Sequence, residues 1–259
     1  LEAIFLSQQK GQYHLRYFTN ISEIPYSGHP SLAAACLLQQ EIIKENIDSI
    51  TLHYPAGQSV VDLVYDEHGA LEKLWLNSDR QAKILIEHDR DQMAQLLGIA
   101  RENVSRELPV IEIAAPIPFI LIPLVNVDDL SRINIKTSDY KAYLISENCH
   151  FSNSPYKVST PLYPFALVQK DPVPLFQSRM FTLLKDQLVE HTGTASASTA
   201  FLAYLLSNYQ EEQVQATIHQ AAEVGRNAII YLEGKVQDGK VNMRIGGKVQ
   251  IMAKGQLLV

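Results

Sequence analysis

The chain has 259 residues, 46% hydrophobic and 19% charged, the composition of a globular protein long enough to build two cores. A net charge of −6, with no basic run and no aromatic–basic interleaving, argues against nucleic acid or an anionic membrane as partner. Cys36 and Cys149 are the only cysteines, so no disulfide framework or Cys/His metal cluster is expected, and a reducing, cytoplasmic setting is.

The chain opens inside an alternating apolar pattern and without Met, which predicts that further residues precede Leu1. Residues 2–8 and 13–18 alternate around QQKGQ and predict a β-hairpin with Gly11 in the turn. SGHPSLAAACLLQQEIIKE predicts a helix, with Ser27 placed to cap it and Pro30 in the first turn, where a missing N–H costs little. Strands are expected at 49–54, 59–65 and 70–77, and a short amphipathic helix at 89–99 stopping near Gly98. Further strands are expected at 109–114 and 118–125. The apolar run 111–125 around them carries Glu112 and three prolines and is too short to span a bilayer. VDDLSRINI supplies a helical turn, AYLISEN and PFALVQ read as strands, and a second helix is expected over 194–206. The tail from Asn227 reads as a strand meander turning at Asp238-Gly239, Gly246-Gly247 and Lys254-Gly255.

Both long helices are apolar nearly all round, from Leu32 to Leu38 and from Ala195 to Leu206, and a helix without a polar face is a buried one. The expectation is an α+β protein of two pseudo-symmetric lobes, 1–115 and 116–259, each a mixed sheet curled around a central apolar helix. The last strand is allowed to return to the first lobe. No strand–GxGxxG–helix unit is present, which argues against a dinucleotide-binding domain.

Each long helix opens with glycine beside polar groups, and a helix start carries free N–H groups and the positive end of the helix dipole. Two such starts could hold a small carboxylate. Gly28 and Gly193 would allow close backbone approach, and His29, Thr194 and Ser196 would add side-chain hydrogen bonds. The plainer reading is a well-capped buried helix. A His at a helix start is more often a structural hydrogen-bonder than a catalyst, and Glu2 in a strand ordinarily faces solvent.

The motifs taken together resemble the PhzF-like family, named for phenazine-biosynthesis protein F, of the diaminopimelate epimerase fold. LEAIFL (1–6) is similar to the family's S-E-T-A-F-V strand. LRYFTNISEIPYSGHPSLAAA (15–35) is similar to its L-R-W-F-T-P-x-x-E-V-x-x-C-G-H-A-T-L-A-A. QSRMF (177–181) resembles S-R-x-F, and VEHTGTASAS (189–198) resembles E-D-P-V-T-G-S-A. IHQAAEVGRNAIIYL (218–232) resembles Q-x-x-x-x-G-R-x-G, and KVQIMAKGQLLV the closing strand pair.

The resemblance implies a substrate cleft between the lobes and cofactor-independent isomerase or epimerase chemistry on a small carboxylic acid, with a homodimer as the assembly. It places the acid/base on Glu2, the G-H histidine on His29 and the serine after T-G on Ser196. The family's Asp falls on His191 and its Gly before Ser on Ala195, and Pro30 stands where the family often has Ala. The two-thiol relatives carry a Cys before each helix start, at positions that here read Ser27 and His191. The alternative is a catalytically degenerate member that binds a small carboxylate without turning it over.

Overall fold

The computed structural model describes residues 2–19, 22–78, 82–209, 212–221, 225, 227–237 and 240–256. It divides into two compact units, Leu1–Asn77 with Gly246–Val259, and Ser78–Ile245.

The first unit begins with β1 (Glu2–Gln9) and β2 (Gln12–Thr19), paired antiparallel from Glu2↔Thr19 to Gln9↔Gln12. Lys10 and Gly11 have φ of 51° and 80°, so both central residues of the turn are left-handed, as a two-residue hairpin of this twist requires. β3 (Glu23–Ile24) adds to β2, and α1 (Gly28–Leu37) follows, continued by a π-helical segment Leu38–Ile43. Then come β4 (Ser49–Tyr54), β5 (Gly57–Tyr65) and β6 (Leu71–Ser78). The strand order is β1-β2-β4-β5-β6, with β2 and β4 parallel and the other neighbours antiparallel. A parallel pair needs a crossover, and α1 lies within it. Leu32, Ala35 and Leu38 of the helix region pack with Leu15, Tyr17, Leu52, Val61 and Leu74 of the strands.

The second unit starts with β7 (Lys83–Glu87), α2 (Arg90–Leu97), β8 (Ile111–Ala114) and β9 (Pro118–Pro123). Residues 83–114 group here because β7 pairs with β8 and β8 with β9. The division therefore falls at Asn77/Ser78, earlier than the 115 expected. Next are α3 (Asp128–Arg132), α4 (Thr137–Ser146), β10 (Leu162–Gln169), β11 (Leu175–Ser178), β12 (Phe181–Leu184) and β13 (Gln187–Glu190). The unit closes with α5 (Ala195–Tyr209), β14 (Gln213–Gln220), β15 (Ala228–Gln237) and β16 (Lys240–Gly247). The strand order is β16-β15-β14-β11-β10-β9-β8-β7, with β9–β10 and β11–β14 parallel. The parallel pair β11 and β14 is again joined through the long apolar helix, here α5, repeating the β2–α1–β4 plan.

Every residue of β9 is buried. Phe119 and Leu121 enter a core built on Phe201, Tyr204 and Leu205 of α5, while Ile120 and Ile122 enter a second core with Met93, Leu130, Tyr140 and Leu144. Successive strand residues point to opposite faces, and both faces are covered.

Two sequence readings are corrected. AYLISEN is the end of α4 and the loop after it: Tyr140 and Leu144, one helical turn apart, are buried, and a short apolar run does not separate helix from strand. The strand β16 runs through Gly246 and Gly247 instead of turning there, and residues 248–256 form no strand. The turn expected at Asp238-Gly239 lies outside the described residues. Among the described residues no helix is long and apolar enough to cross a membrane.

Candidate functional site

The sequence-expected residues divide between the units: Glu2, Gly28 and His29 in the first; His191, Gly193, Thr194, Ala195 and Ser196 in the second.

In the first unit the β1–β2 hairpin delivers Glu2 to the start of α1. Ser27 has the extended backbone of an N-cap, φ −146° and ψ 132°, yet its side chain makes no capping bond. Its hydroxyl instead donates to Glu2 Oε2 at 2.8 Å. His29 Nε2 lies 3.5 Å from the same oxygen. Glu2 is thus approached by a hydroxyl and an imidazole from one helix start. Below them, Ser31 donates to the Ser27 carbonyl at 2.7 Å, which leaves the Tyr17 hydroxyl to donate to Ser31 at 2.7 Å. Tyr17 is fully buried, with the Tyr26 and Tyr54 rings 6.0 and 5.9 Å away. This buried chain fixes the Ser27 backbone and so the position of its hydroxyl.

The His29 side chain is 59% exposed, so it is partly shielded from water. That partial loss of water lowers its pKa, and the Glu2 carboxylate works against the lowering. The net direction favours a neutral imidazole, able to donate from one nitrogen and accept at the other.

In the second unit the first bonds of α5 run from Ser198 N–H and Ser198 Oγ to the Thr194 carbonyl, at 3.0 and 2.9 Å. The N–H groups of Ala195, Ser196 and Ala197 precede this bond and have no acceptor within the helix. The segment before the helix is held by three contacts. His191 N–H donates to the Met180 carbonyl at 3.0 Å, and Gln220 Nε2 donates to the His191 carbonyl at 2.9 Å. Arg179 grips Glu190 with Nε and Nη2 at 2.8 and 2.7 Å and gives Nη1 to the Leu130 carbonyl at 2.8 Å. Gly193 passes close to β15, where an added Cβ would come 3.2 Å from that of Ala228.

Neither thiol suits proton transfer. Cys36 and Cys149 are buried, and burial raises both pKa values. Cys149 is pushed up to about 12, first by burial and then by the Glu112 carboxylate 3.6 Å away. Glu112 in turn is met by His88 Nε2 and Thr160 Oγ1, each at 3.3 Å, inside the second unit. Among the described residues no three His, Cys, Asp or Glu side chains are arranged to hold a metal ion.

Arg179, Glu190 and Gln220 stand in motifs the sequence singles out, S-R-x-F, E-D-P-V-T-G-S-A and Q-x-x-x-x-G-R, but residue types alone gave them no role. Local spacing marks Ser27 as a cap, whereas its bond to Glu2 spans 25 residues of chain.

The profile of the phenazine biosynthesis-like protein family, PhzC-PhzF, matches residues 2–255. An uncharacterized isomerase of Mesorhizobium japonicum is 25% identical over 96% of this chain and 81% of its own. One of Bacillus subtilis is 21% identical over 92% and 78%. Among solved structures, a PhzF-family phenazine biosynthesis protein of Bacillus anthracis superposes with a TM-score of 0.77, at 18% identity over 95% of this chain and 81% of that one. A protein of Pseudomonas aeruginosa described as a predicted epimerase gives 0.72, at 23% identity over 100% and 84%. These neighbours share the mixed α+β fold. The chain belongs to the phenazine biosynthesis-like PhzC-PhzF family.

Proposed function

We propose that this protein is an isomerase that moves a proton between carbons of a small carboxylic acid, with Glu2 as the general acid/base. The carrying observation is the Glu2 carboxylate held at 2.8 Å by the Ser27 hydroxyl, with His29 Nε2 at 3.5 Å, at a helix start. The relatives named as isomerases support the reaction class.

In this reading Glu2, ionised, removes a proton from a carbon made acidic by conjugation with the substrate's carboxylate. The same carboxyl then returns the proton to another carbon. One residue serves both steps, so no redox change or added group is needed. The Ser27 hydroxyl donates to the ionised form and can accept from the carboxyl O–H when Glu2 carries the proton. Negative charge building on the substrate is held by the free N–H groups of a helix start, already oriented before the reaction begins.

Solvent-deuterium incorporation into candidate acids, followed by NMR, tests this. Exchange that disappears in Glu2→Gln supports it, and exchange undiminished in that variant refutes it. A second reading, carboxylate binding without turnover, has one observation in its favour: His191 stands where the family has an acid and supplies no fixed negative charge. Saturable binding of acids that never exchange a carbon-bound proton would establish that reading instead.

A further inference from the structure

In the first unit β2 and β4 are joined by a short parallel ladder, Tyr13↔Leu52 and His14↔His53. Tyr13 and Leu52 pack into the core of that unit. Successive strand residues point to opposite faces, so His14 and His53 stand together on the outer face, both half-buried. Their ring centroids are 5.3 Å apart, with the planes inclined by 28°.

Two further polar residues extend the row. Ser7 of β1 lies opposite His14, and Gln58 of β5 lies opposite His53. The order across the four strands is therefore Ser7, His14, His53, Gln58. Among the described residues neither imidazole is hydrogen-bonded or ion-paired to another protein group. Arg16, two residues along β2 on the same face, has its charge met by Glu23 at 2.8 and 2.7 Å.

Two neutral imidazoles side by side offer two nitrogen lone pairs, a ligand set that suits Zn²⁺, Ni²⁺ and Cu²⁺ and not Mg²⁺ or Ca²⁺. Their separation suits a shared ion. With metal–nitrogen bonds of about 2.0–2.1 Å and a tetrahedral angle, two ligating imidazoles have their centroids about 5 Å apart.

We propose that His14 and His53 form a two-imidazole site for a divalent transition-metal ion. Water fills the remaining positions, since among the described residues no third His, Cys, Asp or Glu is arranged to join them. Ser7 and Gln58 flank the pair in register, where they can accept the ring N–H that faces away from the ion and so orient each ligand. The ion adds a side-chain link to a ladder of two register pairs and fastens the β1–β2 hairpin to β4. Glu2 faces the side of β1 opposite to Ser7, so this site is separate from the Ser27–Glu2 contact and does not depend on the reaction proposed for it.

Titration calorimetry with Zn²⁺ and Ni²⁺, with Mg²⁺ as the control, tests the assignment. One ion of Zn²⁺ or Ni²⁺ per chain binds with a Kd below about 100 μM, and Mg²⁺ does not bind. His14→Ala and His53→Ala each weaken binding at least about tenfold, whereas His68→Ala, at an 83% exposed position outside the row, stays within about threefold. In hydrogen exchange, Zn²⁺ slows the amides of β2 and β4 at least about threefold in the wild-type protein and leaves them unchanged in His14→Ala.

Weaker binding than this by the wild-type protein overturns the proposal, as does binding that survives at full strength in either His14→Ala or His53→Ala. Exchange that Zn²⁺ leaves unaltered in the wild-type protein overturns the fastening of the hairpin. Should an alanine variant not fold, His14→Gln and His53→Gln keep a polar side chain of similar size, and retention of full affinity in them counts equally against the site.

Discussion

Two Arg–Glu pairs in this protein share a geometry and differ in burial, and that difference sets a prediction. Arg179 meets Glu190 through two bonds of 2.8 and 2.7 Å, with side chains 12% and 15% exposed. Arg16 meets Glu23 through bonds of the same two lengths, with side chains 61% and 36% exposed. If distance governed the energy, the pairs would be equal. If desolvation governs it, water and salt screen the second and not the first. Bonds to charged groups contribute about 1.5–3 kcal/mol each, and part of that is lost to desolvation already incurred. A coupling of about 2–3 kcal/mol is therefore expected for Arg179–Glu190. The Arg16–Glu23 coupling should barely be measurable. Double-mutant cycles of Arg→Met and Glu→Gln, read by urea unfolding, give both values, and repetition near 0.5 M salt should leave only the first. Equal couplings, or less than about 1 kcal/mol for Arg179–Glu190, would refute the reasoning.

Ser27→Ala should cost under about 0.5 kcal/mol in urea unfolding, against the ~1 kcal/mol of an ordinary N-cap loss, because the Ser27 side chain caps nothing. It should nonetheless slow exchange chemistry by freeing Glu2, and a full capping cost would show that the hydroxyl serves the helix after all. Alkaline stability should fall early. Burial raises the pKa of Tyr17, Tyr140, Tyr143 and Tyr163 above their usual 10, and Cys149 from 9 to about 12. The native state then keeps protons that the unfolded chain releases, so stability is undiminished below pH 9 and declines as pH rises towards 12. Tyrosinate absorbance in these four should appear only with unfolding, and ionisation at pH 10 in a folded protein would contradict it.

Much of the architecture was legible because it rests on local chemistry. The hairpin around Gly11, the helix starting at Gly28 and the helix starting at Ala195 follow from turn residues and apolar runs. What escaped depends on tertiary placement. Residues 142–146 look like a strand until Tyr140 and Leu144 are seen to share one buried helical face. Ser27 reads as a cap because local spacing cannot see a carboxylate 25 residues upstream. Arg179, Glu190 and Gln220 were visible as motif letters, but their function is to hold the backbone before α5. No residue pattern announces that. The segment after Gly247 is rich in strand-like residues, yet residues 248–256 join no strand ladder, and a strand exists only by its partner.

The apolar sequence of β9 leaves one question that its polarity cannot answer. A strand with one wet face is kept in register because a one-residue slip would turn its oily side outward, and β9 has no wet face to protect it. Its alignment must be selected by another signal, and the prolines at its two ends provide one. Pro118 and Pro123 lack the N–H that a ladder position demands, so most shifted alignments would set a missing donor opposite a waiting carbonyl. Replacing both prolines would leave the hydrophobic content of the strand almost unchanged and remove the marks by which the chain counts its own position.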